Sequence, residues 1–144
     1  MEPIAGIIGG DGSHSTGSSY TTTYTGVAPA VNLVNVRVLN AQGAGTDAAV
    51  MSAINRAIQF KSKYNIRVIN LSLGRRVYET FAQDPLCQAV EAGWNAGIFV
   101  VVAAGNEGRN NLAGTSGYGT IAAPGNDPSV LTAGAPPWPA CSRW

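Results

Sequence analysis

The sequence predicts an α/β fold in which a parallel sheet lies between helix layers, and three observations support this. The run at 99–104 is apolar and rich in β-branched residues, without the polar alternation of a one-sided sheet. Segments 32–39 and 67–74 also have strand composition. Each of these two segments is followed by apolar residues at helical spacing, so crossover connections between parallel strands are expected.

The elements follow one another in a simple order. A helix of small residues is expected at 4–9, followed by a polar loop over 10–26 that contains the single histidine, His14. Alternating or continuous apolar residues predict the strands that come later. The expected parallel strands are 33–39, 68–72, 99–103 and 129–133.

Two longer helices are predicted between these strands. Thr46 or Asp47 caps a helix that runs to about Tyr64, with one apolar face. A second helix is expected at 85–95, and Gly97 terminates it.

Composition narrows the functional classes. The chain has 144 residues, 45% of them hydrophobic and 12% charged, which suits one domain with a real core. A net charge of +1 does not indicate nucleic-acid binding, and no apolar segment approaches the length of a membrane span.

Met1-Glu2-Pro3 is not the basic start of a signal peptide, so the sequence leaves the compartment undetermined. The two cysteines, Cys87 and Cys141, are interpreted as one buried small hydrophobe and one stray thiol.

The apolar run at 99–104 ends abruptly at Gly105-Asn106. One interpretation is that these residues simply turn the chain. Alternatively, the amide of Asn106 stands at the carboxyl end of a parallel strand, where ligands collect, and can donate to a developing oxyanion.

A dinucleotide site is a weaker hypothesis. Residues 43–48 (Gly-Ala-Gly-Thr-Asp-Ala) match the relaxed G-x-G-x-x-A pattern and open a helix. However, Asp47 places negative charge where a pyrophosphate would bind, and the next strand ends without an acidic residue for a ribose. A capped turn explains the segment fully.

Six short segments occur in order over roughly residues 4–135. They are Ala5-Gly6-Ile7-Ile8, Gly26-Val-Ala-Pro29, Val36-Arg-Val-Leu39, Val68-Ile-Asn-Leu-Ser-Leu-Gly74, Ala103-Ala-Gly-Asn106 and Pro128-Ser-Val130. In this order and spacing they resemble the subtilisin-like serine peptidases, and six segments in register are far more specific than any single motif.

The resemblance implies a three-layer subtilisin-like fold and a set of site residues. It also implies a cis bond at Ala123–Pro124. Family members commonly bind calcium, but no cluster of carboxylates with suitable spacing occurs here, so no metal ligand or cofactor is assigned. The matched positions are Asn106 for the oxyanion, Ser72, Leu73 and Gly74 for the strand that lies along the substrate, and Ala103, Ala104 and Gly105 for one wall of the specificity pocket.

The catalytic triad departs from the family pattern. Alignment on Ala5-Gly6 places the family's histidine one residue before Met1, and Glu2-Pro3 stands where Thr-His is expected. The aspartate belongs still earlier, and the Gly-Thr-Ser-x-Ala nucleophile motif belongs well beyond Ala135. The prediction is therefore an incomplete peptidase domain over 1–135, followed by an unrelated proline- and tryptophan-rich tail at 136–144.

Two imitations of the triad are set aside. Gly114-Thr-Ser116 resembles the nucleophile motif but comes only ten residues after Asn106, in a loop with no helix to present the serine. Asp11, His14 and Ser116 occur in the family's order, yet loop residues without a packed scaffold cannot hold a base within reach of a hydroxyl.

These observations predict a portion of a subtilisin-like endopeptidase that is inactive by itself and whose family partner is a polypeptide substrate. The alternative is a non-catalytic module that binds peptides at the same strand edge. Missing elements are expected to leave apolar residues open to self-association, including Val100, Val102 and Ile8.

Overall fold

A parallel sheet of three strands forms the centre of the structure: β1 (Val68–Leu71), β2 (Phe99–Ala103) and β3 (Leu131–Ala133). This computed structural model describes residues 2–108 and 120–135. The strand order is β1-β2-β3, and both pairs are parallel. The prediction of a parallel α/β sheet is therefore confirmed, as are three of its four strands.

The chain forms two compact units, Met1–Arg37 and Val38–Trp144. In the first unit, α1 (Glu2–Gly9) is followed by a 3₁₀ turn, Ser13–Ser15. The last carbonyls of α1 accept from the extended segment that follows the polar loop: Val27 N–H donates to Ile7 at 2.9 Å. The helix expected at 4–9 is confirmed, and this segment satisfies carbonyls that a helix end leaves unpaired.

The strand expected at 33–39 is not formed, and that prediction is wrong. Residues 31–38 have no regular secondary structure, and Leu33, Val34 and Val36 are all exposed. Alternation of apolar and polar residues indicates only that a segment suits a half-buried sheet surface. Here the three apolar residues lie outside the sheet and are open to solvent.

The two long helices of the second unit begin at side-chain caps. The long helix is α2 (Asp47–Gln59), continued by the short α3 (Lys61–Tyr64), and Thr46 Oγ1 caps α2 by accepting from Ala49 N–H at 3.2 Å. The next helix, α4 (Pro85–Asn95), has Asp84 as its cap. Both predicted helices are thus confirmed. Within the described ranges, no helix has the length and apolar character needed to cross a membrane.

The core lies on one face of the sheet, where α2 and α4 cover it. Val100 and Val102 of β2 are almost completely buried there, so the expectation that they remain open is wrong. Their neighbours in sequence point to the other face because side chains alternate along a strand. The buried cluster consists of Val50, Ile54, Leu71, Leu86, Val90, Val100 and Val102.

The opposite face of the sheet is largely apolar and exposed, and Asn70 is the polar residue of β1 on it. Val68 is paired with Phe99, and Val101 with Leu131, so these side chains share that face. Val68, Phe99 and Leu131 retain 58%, 55% and 57% of their accessible surface. No described residue of this unit forms a helix layer over it, so the α/β fold is incomplete, as the sequence predicts. We call Val68, Phe99, Val101 and Leu131 the open face.

Candidate functional site

The predicted oxyanion residue lies directly beyond the carboxyl end of β2. Ala104 N–H still donates to the Ala133 carbonyl at 2.8 Å, and Gly105 then turns the chain with a φ of 96°. This left-handed backbone favours glycine, because a Cβ is strained there. Asn106 follows in an exposed position at the edge of the sheet.

The predicted substrate strand follows β1 and leaves the sheet at the same edge. Leu71, the last residue of β1, is paired with Val102 of β2. The next residue, Ser72, is exposed, and its Oγ accepts from Asn70 Nδ2 at 2.9 Å. Leu73 packs against the core. The chain therefore presents Ser72 while Leu73 anchors the segment.

Ala122 connects these two segments. A Cβ built on Gly74 would lie 3.0 Å from the Ala122 Cβ, and a Cβ built on Gly105 would also lie 3.0 Å from it. Ala122 N–H donates to the Ala104 carbonyl at 2.9 Å. The Ala122 methyl group thus contacts both Gly74, at the end of the predicted substrate strand, and Gly105, in the turn before Asn106. Both positions suit glycine, because a side chain there would crowd this methyl group.

The segment that carries Ala122 continues through a cis Ala123–Pro124 bond, as expected from the sequence. Ala123 and Pro124 are fully buried. Arg75, the residue after Gly74, pairs with Ala123 in both directions: each N–H donates to the other's carbonyl at 2.9 Å. This antiparallel bridge connects the end of the predicted substrate strand to the cis-proline segment.

The Arg75 side chain reaches the starts of both long helices. Its Nε lies 2.7 Å from Asp47 Oδ2 in the first turn of α2, and its Nη2 lies 2.8 Å from Asp84 Oδ1 at the start of α4. The Nη1 group donates to the Arg76 carbonyl at 3.0 Å, and the guanidinium lies 5.3 Å from the centre of the Tyr78 ring. Burial acts to lower the pKa of Arg75, but its hydrogen bonds to the two aspartates and their charges outweigh burial and raise it.

Sequence reasoning missed Arg75 and Asp84. Asp84 carried a local signal, because an aspartate before Pro85 matches the start of a helix. Arg75 carried none that identifies its partners, since Asp47 lies 28 residues away in the sequence.

A buried thiol lies near the Asp84 end of this network. Cys87 is fully buried, and its Sγ donates to Asn126 Oδ1 at 3.5 Å. Burial, followed by the charges of Asp84 and Asp127, raises the pKa of this thiol to about 12. Cys87 is therefore protonated and unreactive at neutral pH. Cys141 lies outside the described residues.

Ser116 and the tail at 136–144 also lie outside the described residues. Of the triad imitations, Asp11 is described and serves its own turn: its Oδ1 accepts from Ser13 N–H at 3.0 Å and from Ser13 Oγ at 2.7 Å. These hydrogen bonds lower the pKa of Asp11. Its carboxylate is thus used as a local turn cap.

Metal ligands are not grouped in the described part of the chain. Over residues 2–108 and 120–135, no three His, Cys, Asp or Glu side chains are placed to hold a metal ion.

The chain is similar in sequence to a known protein family along nearly its whole length. Residues 3–136 match the Subtilase family, peptidase S8. The chain is 39% identical over 137 residues to the serine protease AprX of Bacillus subtilis (strain 168), covering 88% of this chain and 29% of that protein. It is 39% identical over 130 residues to subtilisin DY of Bacillus licheniformis, covering 88% of this chain and 43% of that protein.

A solved structure extends the similarity to the fold. Sphericase superposes with a TM-score of 0.67 at 28% identity, covering 90% of this chain and 37% of that one. The chain thus spans less than half the length of these relatives. Since the family match covers nearly the whole of the chain, the chain belongs to the subtilase family.

Proposed function

We propose that this chain is a portion of a subtilisin-like serine endopeptidase domain and that it supplies the oxyanion donor and the substrate strand. The observation that carries the proposal is the meeting of Gly74 and Gly105 at the Ala122 methyl group. The proposal is supported because Ser72–Gly74 follow β1 and Asn106 follows β2, so both segments leave the same edge of the sheet, and an extended peptide binds at such an edge.

In an intact domain, each part has a distinct task. A serine attacks the scissile carbonyl, a histidine removes the serine's proton, and an aspartate orients the histidine. The side-chain amide of Asn106 donates to the oxygen that becomes negative as the tetrahedral intermediate forms. Ser72, Leu73 and Gly74 hold the substrate backbone, and Ala103, Ala104 and Gly105 form one wall of the pocket beside it.

By itself, the chain is expected to lack hydrolytic activity. Asn106 stabilises a charge that only a nucleophile can create, and the six matched segments carry none of the triad. The strand edge can still bind a peptide without cleaving it. The partner that the site suits is therefore an extended polypeptide segment.

Peptide binding tests the proposal directly. The 144-residue chain is titrated into a fluorescein-labelled extended peptide, and binding is followed by fluorescence anisotropy. The matched ligand is the same peptide N-methylated at alternate amides, which keeps the side chains but removes backbone donors. We expect binding of the first peptide and at least a tenfold weaker response to the second. Equal binding of both would contradict recognition through the backbone of a strand.

The alternative, a peptide-binding module without catalysis, uses the same edge. It is favoured by the exposure of Ser72 and Asn106 at the edge of the sheet. To distinguish the two functions, these 144 residues are expressed within their natural coding sequence and assayed with a peptide ester. An endopeptidase releases product from a peptide ester, and a binding module retains the ester uncleaved.

A further inference from the structure

Arg75 joins the substrate strand to the rest of the second unit from two sides. Its backbone pairs with Ala123 through two hydrogen bonds of 2.9 Å, directly after Gly74. Its side chain is bound to Asp47 and Asp84, at the starts of the two long helices. The residue therefore connects the position of the strand to the positions of α2 and α4.

The Arg75 side chain is held in a single geometry. Nε, Nη1 and Nη2 each donate a hydrogen bond, and Tyr78 lies against the guanidinium plane. Asp84 is fully buried, whereas the Asp47 side chain keeps 43% of its accessible surface. A planar fork between two carboxylates loses little further freedom on folding and fixes direction as well as distance.

A continuous path leads from this fork to the predicted oxyanion residue. The Arg75 backbone holds Ala123, and the neighbouring Ala122 donates to the Ala104 carbonyl while its methyl group contacts Gly105. Asn106 is the next residue in the chain. The Gly105–Asn106 turn packs against the Ala122–Ala123 segment, and Arg75 holds that segment. The direction of the Asn106 side-chain amide therefore depends on Arg75.

We propose that Arg75 is a positioning residue that sets the substrate strand Ser72–Gly74 relative to the Gly105–Asn106 turn. It touches no substrate in this scheme and acts through Ala123 and Ala122. The part of this proposal that concerns peptide binding rests on the proposed function, whereas the part that concerns the Asn106 turn stands on the contacts alone.

Lysine cannot replace arginine in this role. An ammonium group is a single point charge and lacks the spaced donors that reach Asp47 and Asp84 at once. Arg75→Lys is therefore expected to keep the charge and lose the geometry. Arg76→Ala is the matched control, because Arg76 is adjacent and exposed and contributes its carbonyl, not its side chain, to the fork.

The experiment uses the ¹⁵N-labelled 144-residue chain at a temperature where circular dichroism shows every variant folded. Backbone amide shifts of Gly105, Asn106 and Ala123 and the side-chain amide shifts of Asn106 are compared among the unchanged chain, Arg75→Lys and Arg76→Ala. Val68, at the far end of the sheet, serves as an internal reference. Affinity for the labelled peptide is measured on the same samples.

We expect Arg75→Lys to shift the resonances of Gly105, Asn106 and Ala123 while Val68 stays in place, and to weaken peptide binding by about five- to tenfold. Arg76→Ala should change neither. Resonances of Gly105 and Asn106 that stay unchanged in a folded Arg75→Lys chain would overturn the proposal. If that variant does not fold, Asp47→Asn takes its place, because Asp47 is the half-exposed partner and its loss leaves the buried pair intact.

The two proposals fail in different ways. If the unchanged chain binds no peptide but the Asn106 resonances respond to Arg75→Lys, the proposed function is wrong and the positioning role holds. If the unchanged chain binds peptide and Arg75→Lys alters neither affinity nor resonances, the positioning role is wrong and the proposed function holds.

Discussion

The guanidinium of Arg75 donates from Nη2 to Oδ1 of Asp84 at 2.8 Å, and the Asp84 side chain is fully buried. The same oxygen accepts from Leu86 N–H at 2.9 Å and so caps α4. The other oxygen, Oδ2, has no hydrogen-bond partner among the described residues. A buried carboxylate with one unsatisfied oxygen depends strongly on the cation that neutralises it.

Substitution of Asp84 separates its two tasks. Asp84→Ala removes both the helix cap and the ion pair, so we expect the free energy of unfolding to fall by about 3–5 kcal/mol. Asp84→Asn keeps a side chain that caps equally well, and its loss should be smaller by about 1 kcal/mol. Urea unfolding followed by circular dichroism measures both. Glu91→Ala, an exposed change on the same helix, is the control, and equal losses in all three variants would contradict the assignment.

Ionisation of Cys87 should destabilise the fold at high pH. In the unfolded chain the thiol loses its proton near its ordinary pKa of 9.0, but in the folded chain it keeps the proton until about pH 12. The folded state therefore binds more protons between these values, and the free energy of unfolding falls as the pH rises through this window.

The measurement is urea unfolding at several pH values in a Cys141→Ser background, which leaves Cys87 as the single thiol. Replacement of Cys87 by Ala in that background should make the decline with pH less steep. In addition, iodoacetamide at pH 8 should label Cys87 only in urea. Rapid labelling of the folded chain, or equal pH slopes, would refute the burial argument.

The chain by itself should hydrolyse no peptide ester above background. Its 144 residues contain neither the His-Gly-Thr-His motif nor the Gly-Thr-Ser-x-Ala motif of the family. A fluorophosphonate probe reports any activated serine, and a full-length subtilisin provides the positive control. Stoichiometric labelling with ester turnover would contradict this prediction, and loss of that labelling in Ser116→Ala would identify the serine responsible.

The open face should drive self-association. Val68, Phe99 and Leu131 are exposed apolar side chains on this side of the sheet, and such patches favour contact with other apolar surfaces. The double change Val68→Thr, Leu131→Thr places β-branched threonine, which suits a strand, at both positions and makes the face more polar. Sedimentation velocity should then show a larger monomer fraction. Val27→Thr, at an exposed position outside the sheet, should leave the distribution unchanged. A monomeric unchanged chain would rule out this role for the face.

Much of the fold could be predicted because its signals lie within short segments. The Thr46 cap, the helix at 85–95 and the apolar run at 99–103 each depend on neighbouring residues, and the structure confirms them. The cis Ala123–Pro124 bond followed from resemblance to the family, as did the family membership itself. The roles of Asn106 and Ser72–Gly74 stay predictions, although their segments do meet at Ala122.

Tertiary structure alone decided three other features. Segment 33–39 has strand composition, but no strand forms there, because composition shows only that a segment suits a sheet and tertiary structure decides which segments join it. The run at 99–103 suits burial on both faces, but the placement of α2 and α4 buries Val100 and Val102 and leaves Phe99 open. Arg75 has no local signal, because its partners come from two helices that only folding brings together. Helix caps and strand composition depend on adjacent residues, so the sequence predicts them. Burial and ion pairing depend on which distant segments come into contact when the chain folds.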